Sequence, residues 1–144
     1  MAMASSTKLL SLVRTITKHM IDDGGFGKLM DKVNITSAGQ GWCSAEMIVL
    51  HEHQNSGGTL HGGLTATLVD NVSTLALMTT GSGVPGVSVD MHITYTKGAK
   101  VGEEVIIDAK TLRVGKRMAF LEVELKKKLS GELVAKGLHT KFVG

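Results

Sequence analysis

The stretch Leu60-His61-Gly62-Gly63-Leu64-Thr65-Ala66-Thr67-Leu68-Val69-Asp70-Asn71-Val72-Ser73-Thr74-Leu75-Ala76-Leu77-Met78 decides the fold. Leu64, Leu68, Val72 and Leu75 share one side at helical spacing, with Ala66, Asp70, Ser73 and Leu77 roughly opposite. Both sides are small or apolar, which predicts a helix over about 61–80 that is covered nearly all round. Gly81-Ser82-Gly83 ends it. Asp70 is the one formally charged side chain between His53 and Val89. A carboxylate in so apolar a run is costly unless paired or protonated, and such groups mark chemistry more often than structure.

Strand patterns flank this helix. Residues 41–50 alternate, with Trp42, Ser44 and Glu46 opposite Cys43, Ala45 and Met47. Over 86–96, period two puts Val87, Val89, Met91, Ile93 and Tyr95 on one face and Ser88, Asp90, His92 and Thr94 on the other. Runs around 104–113, 118–128 and 132–142 are separated by turns at Gly115 and Ser130-Gly131, so they read as antiparallel hairpins. Upstream, Leu9, Leu12, Val13, Ile16 and Met20 form an amphipathic helix at about 5–21, ended by Asp22-Asp23-Gly24-Gly25. It reads as a surface helix of the domain or as a weak mitochondrial targeting segment, and the two do not exclude one another. The order is an α+β pattern in which an antiparallel sheet wraps one central helix, within a single domain spanning 1–144. A sheet encloses one side of a helix only. The other side therefore calls for a second subunit, with Asp70 facing it or a cleft beside it.

Composition narrows the function. Hydrophobic content of 42% and charged content of 20% are globular values. No apolar run reaches the ~18 residues of a spanning helix. A single cysteine excludes an internal disulfide, and Cys43 alternates with core residues, so it reads as packing and not as a nucleophile. Between Val33 and Thr96 there is no Lys or Arg, whereas residues 97–144 hold eleven basic and six acidic side chains. That half looks ready to hold an anion. Tyr95, Phe120 and Phe142 are too few aromatics for a nucleic-acid stacking platform, so a small nucleotide-like polyanion fits better than nucleic acid.

His61-Gly62-Gly63 at the mouth of an apolar helix offers free backbone N–H groups at a positive dipole end, and glycine lets a carbonyl come close. Oxyanion holes are built in this way. Asn55 upstream adds an amide donor and Asp70 downstream a base. His51-Glu52-His53 places two imidazoles on one face of an extended segment without a third ligand, and no metal site is assigned. Gly81–Gly86 lacks the Gly-Lys-Ser/Thr of a phosphate loop. Glu122 and Glu124 share a strand face and read as solvent-exposed, and Lys126-Lys127-Lys128 as a solvated hairpin end.

His53-Gln54-Asn55-Ser56-Gly57-Gly58-Thr59 leading into Leu60-His61-Gly62-Gly63 and Asp70, followed by Pro85-Gly86-Val87-Ser88-Val89-Asp90, resembles the signature of the small hotdog-fold acyl-coenzyme A thioesterases. The resemblance is closest to their mitochondria-associated members and covers essentially the whole chain. It implies a hotdog fold and hydrolysis of medium- to long-chain fatty acyl-coenzyme A. Asn55 and the Gly62 N–H would polarise the thioester carbonyl, Asp70 and Ser88 would position and activate water, and His61 would support the loop. Coenzyme A, part of the substrate and not a cofactor, would lie along Tyr95-Thr96-Lys97-Gly98-Ala99-Lys100 and Arg113-Val114-Gly115-Lys116-Arg117-Met118. Relatives commonly have proline where this chain has Gly98. The resemblance further implies a homodimer with shared sites, assembled as a homotetramer, a lipid-handling protein partner, and a mitochondrial or cytoplasmic location. A hotdog enoyl-thioester hydratase and a non-catalytic acyl-coenzyme A binder are the alternatives. The first would release no thiol, and the second has no use for a carboxylate beside the thioester.

Spacing alone bears on the shared site. Gly62 and Asp70 are eight residues apart, about 12 Å along a helix at 1.5 Å per residue. One carbonyl cannot touch both on the same helix, since hydrogen bonds reach only ~3 Å.

Overall fold

The computed structural model describes residues 5–144. Helix α1 spans Ser6–Asp22 and starts where the Ser5 hydroxyl accepts the Lys8 N–H. It buries Leu9, Val13 and Thr17. Arg14 leaves the apolar stripe to donate twice to the Ile35 carbonyl, at 3.1 and 2.9 Å, which pins α1 to the first strand. The helix is therefore docked on the domain.

Six strands follow: β1 Asn34–Gly39, β2 Trp42–Ile48, β3 Val87–Tyr95, β4 Glu104–Val114, β5 Met118–Lys127 and β6 Leu133–Phe142. They form one antiparallel sheet in the order β1-β2-β4-β5-β6-β3. Between β2 and β3 runs helix α2, Gly62–Met78, the central helix of the hotdog arrangement. Its Leu64, Leu68, Val69, Val72 and Leu75 pack on Cys43, Ala45, Val105, Ile107, Val123 and Leu125 of the inner sheet face. Burial pushes the Cys43 thiol up to about 12, helped by nearby Asp108, so it stays an inert core group.

One glycine sets how closely α2 approaches β6. A Cβ on Gly137 would meet Val69 at 2.6 Å, so only glycine allows this crossing. The close approach carries Ser73 and Thr74 of α2 onto the side chains of β6.

Two details differ from the sequence reading. In β3 the register shifts between Ser88 and Asp90, which leaves Val89 as an extra residue. Period-two counting assumes an unbroken strand, and the bulge reverses it. Ser88 thus turns toward the helix with Met91, Ile93 and Tyr95, while Asp90 lies on the other face. Second, Glu122 is not free in solvent. It is clamped on the outer face between Lys136 at 2.8 Å and Lys110 at 3.1 Å, and these lysines hold its carboxyl below the ordinary range. The lysines of the β5 hairpin are likewise paired, Lys127 with Glu103 and Lys128 with Glu46 and Glu104.

Strand β3 is a sheet edge, with Val87, Val89, Met91 and Tyr95 all exposed. Edges of this kind are normally short, charged or covered. A further apolar group, Phe120, Leu138 and Phe142, lies open on the outer face of the neighbouring strands.

Candidate active site

At the start of α2, His61 is the N-cap, and its Nδ1 accepts the Gly63 N–H at 2.8 Å. That cap uses the second glycine and leaves the Gly62 N–H without a partner among the described residues. Behind Gly62, the Tyr95 hydroxyl donates to its carbonyl at 2.8 Å, and the ring covers the side where a Cβ would project. His61 thus shapes the helix start, and the Gly62 N–H is left for a ligand.

The preceding loop is organised by Asn55. Its Oδ1 accepts from the N–H groups of Gly57 (2.9 Å) and Thr59 (3.2 Å), and its Nδ2 donates to Thr59 Oγ1 at 3.0 Å. One amide hydrogen is left for a ligand. His51–His53 is a 3-10 turn and not the extended segment expected from sequence, because buried His53 turns back to accept the Leu50 N–H on Nδ1 at 3.0 Å. A cavity of about 330 Å³ opens beside this loop, lined by Phe26, Leu29, His53, His61, Leu64 and Thr67 among others.

Two turns further along α2, Asp70 presents a carboxylate that is 42% exposed in the isolated chain. The buried carboxylate expected from the apolar sequence is therefore open on one side. Beneath it lies a chain of polar groups. Ser88 Oγ is 2.8 Å from His139 Nε2, and His139 Nδ1 is 2.8 Å from Ser73 Oγ. Asp70 Oδ1 stands 4.0 Å from the same Nε2. Burial, opposed by Asp70 and Asp90 and helped by Lys141, holds the His139 pKa below the ordinary histidine value and so favours the neutral ring. A neutral ring keeps one acceptor nitrogen, and an imidazolium would have none.

Sequence reasoning did not find His139, Ser73 or Lys141. In β6 the usual pattern is inverted, because Leu138 and Phe142 are exposed while His139 and Lys141 are buried. Hydropathy alone would put Leu138 and Phe142 inside and the polar residues outside. The available signal was parity with Ala135 and Gly137, two small residues facing the helix.

The two segments expected to hold coenzyme A are both at strand ends, but at opposite ends of the sheet. Tyr95 pairs with Ala135, whereas Met118 pairs with Phe142 on the same strand β6. Seven residues of strand separate those pairs, about 23 Å at ~3.3 Å per residue. Lys97, Lys100, Arg113, Lys116 and Arg117 are all exposed, and Ala99 is buried, its carbonyl receiving the Leu60 N–H. Within one chain the five cations do not form one patch.

The chain is similar to known proteins over most of its length. The family model described as Thioesterase superfamily matches residues 57–134. Acyl-coenzyme A thioesterase 13 of Mus musculus is 50% identical over 142 residues, covering 99% of this chain and 99% of that protein. The crystal structure of zebra fish thioesterase superfamily member 2 superposes with a TM-score of 0.92 at 49% identity, covering 94% of this chain and 98% of that one. A Streptococcus mutans UA159 protein solved bound to acetyl CoA has a TM-score of 0.73 at 28% identity, over 78% of this chain and 88% of that one.

Proposed function

This chain belongs to the thioesterase superfamily, and from that premise we propose that it hydrolyses acyl-coenzyme A to a free acid and coenzyme A. The observation that carries the reading is the pairing of a free Gly62 N–H with a solvent-facing Asp70 that stands over Ser88 and His139. One group suits a developing oxyanion and the other an attacking water.

The two lie about 12 Å apart on one helix, so they serve one thioester only if two copies meet. Antiparallel α2 helices bring Gly62 of one protomer to Asp70 of the other. The exposed edge β3 and its apolar side chains favour a second copy as the occupant of that side. The same twofold relation brings the 95–100 segment of one protomer toward the 113–118 segment of its partner. That joins the cations which a single chain keeps ~23 Å apart. Phe120, Leu138 and Phe142 on the outer face support a further association of two dimers into a tetramer.

In the reaction, the thioester carbonyl accepts from the Gly62 N–H and from the remaining Asn55 amide hydrogen. Water held by Ser88 and Asp70 gives a proton to the Asp70 carboxylate as its oxygen bonds to the carbonyl carbon. Collapse of the tetrahedral oxyanion breaks the C–S bond, and the proton ends on the departing sulfur. The cavity beside His61, with its Phe26, Leu29 and Leu64 walls, supports a medium- to long-chain fatty acyl group. Thiol release measured across acyl lengths tests the reading. Release rising with chain length supports it. Consumption of an enoyl thioester without thiol release favours a hydratase instead.

A further inference from the structure

Lys141 is only 4% exposed, which is unusual for an ammonium group. It lies on the inner face of β6, opposite Ser88 in the strand register and two residues from His139. Its Nζ donates to Thr74 Oγ1 at 2.6 Å. An ammonium only donates, so the Thr74 hydroxyl passes its own hydrogen to the Asp70 carbonyl, 2.7 Å away. Among the described residues no carboxylate stands within 4.0 Å of that nitrogen. Replacing a buried, poorly paired charge by an apolar group of similar size often stabilises a protein, so folding does not explain this lysine.

We propose that Lys141 is a positioning residue of the hydrolytic site: its buried ammonium, anchored on Thr74 at the turn of α2 that presents Asp70, faces the Ser88–His139 pair and holds that polar group in its working arrangement. The charged groups around it are Asp70 from α2 and His139 from β6, with Asp90 of β3 acting on the histidine. A nearby cation in a weakly screened interior stabilises an anion and opposes a second cation. Burial lowers the affinity of Lys141 for its proton, and Asp70 partly restores it. Lys141 acts through these groups and does not touch substrate.

The inference rests on Asp70 being the base, and the test separates the two. The wild type, Lys141→Met, Thr74→Val and Asp70→Asn are compared by thiol release from one acyl-coenzyme A across pH, with thermal melting and NMR titration of the His139 ring. Lys141→Met is expected to melt at or above the wild-type temperature. Its acid limb of kcat/KM should move up by about one pH unit, and its His139 ring should protonate at higher pH. Thr74→Val keeps the charge but removes its anchor, so its acid limb should move in the same direction by less than that of Lys141→Met. If Lys141→Met fails to fold, Lys141→Gln carries the same expectations. An acid limb and a ring titration both at their wild-type positions in the folded variant overturn the role of Lys141. Full turnover in Asp70→Asn overturns the underlying mechanism instead.

Discussion

Ser88 and His139 face one another across the β3–β6 pair, with Ser88 Oγ 2.8 Å from the ring Nε2, although they are 51 residues apart in the chain. The contact exists because the bulge at Val89 turns Ser88 inward and because Gly137 lets α2 close over β6. Ser88→Ala and His139→Gln should each slow turnover by about ten- to a hundred-fold, below the range for loss of a general base. Because the two residues act as one unit, the double variant should lose little more than the worse single one. Steady-state kcat for the three proteins checks this. Multiplying losses would mean that the residues act separately.

His139 gives stability a pH dependence of definite sign. Its folded pKa lies below the ordinary 6.5 because burial disfavours the imidazolium. The unfolded chain therefore binds the proton first as pH falls. This contribution to stability is fully present above about pH 6.5 and is lost as pH falls through the folded value. Denaturant midpoints between pH 7.5 and 5 should decline in the wild type and decline less in His139→Gln. Parallel curves would show that the ring is not the titrating group.

The fold was legible where a regular period met a buried surface. Leu64, Leu68, Val72 and Leu75 marked the central helix, and the run around 104–113 marked a strand, which the structure extends over Glu104–Val114. Asp70 and the Asn55 and Gly62 donors were legible in the residues themselves, the role of Ser88 came from the resemblance, and the structure adds their distances and partners. The face of Ser88 was misjudged because a bulge is invisible to period counting. His139 and Lys141 were missed because β6 turns polar groups inward and shows Leu138 and Phe142 to the outside. The opposite placement of the two cationic segments follows from strand pairing, which no local pattern encodes.

The cations of the β4–β5 hairpin should act on binding more than on chemistry. Lys116→Ala with Arg117→Ala should raise KM for acyl-coenzyme A several-fold and weaken its salt dependence, since exposed charges are screened. The turnover number should change little, because these groups would touch coenzyme equally in ground and transition states. Kinetics at two ionic strengths decide it. Lost turnover at unchanged KM would mean that the anion site lies elsewhere.

Gly137→Ala should be disproportionately harmful for a single added methyl. Its Cβ would sit 2.6 Å from Val69 Cγ1 and 2.9 Å from Cγ2, inside the packed contact of α2 with β6. Overpacking of this kind costs about 1–3 kcal/mol. It would also push Ser73 away from His139. Urea denaturation should show the loss, and Val69→Ala in the same chain should recover part of it. A neutral Gly137→Ala would mean that the helix is not held against β6 in solution.

Under the proposed function, one hydrolytic site is built from Gly62 of one protomer and Asp70 of another. Gly62→Pro removes the free donor at a position where a helix tolerates proline, and Asp70→Asn removes the base, so each protein alone should be nearly inactive. The most direct measurement is thiol release from acyl-coenzyme A after the two variants are refolded together and mixed dimers are isolated. In a mixed dimer one site carries both defects and the other carries neither. Random pairing then predicts recovery to roughly a quarter of wild-type activity in the unfractionated mixture, and about half in purified mixed dimers. Verified mixed dimers of correctly folded parents that stay inactive would show that Gly62 and Asp70 do not share a site.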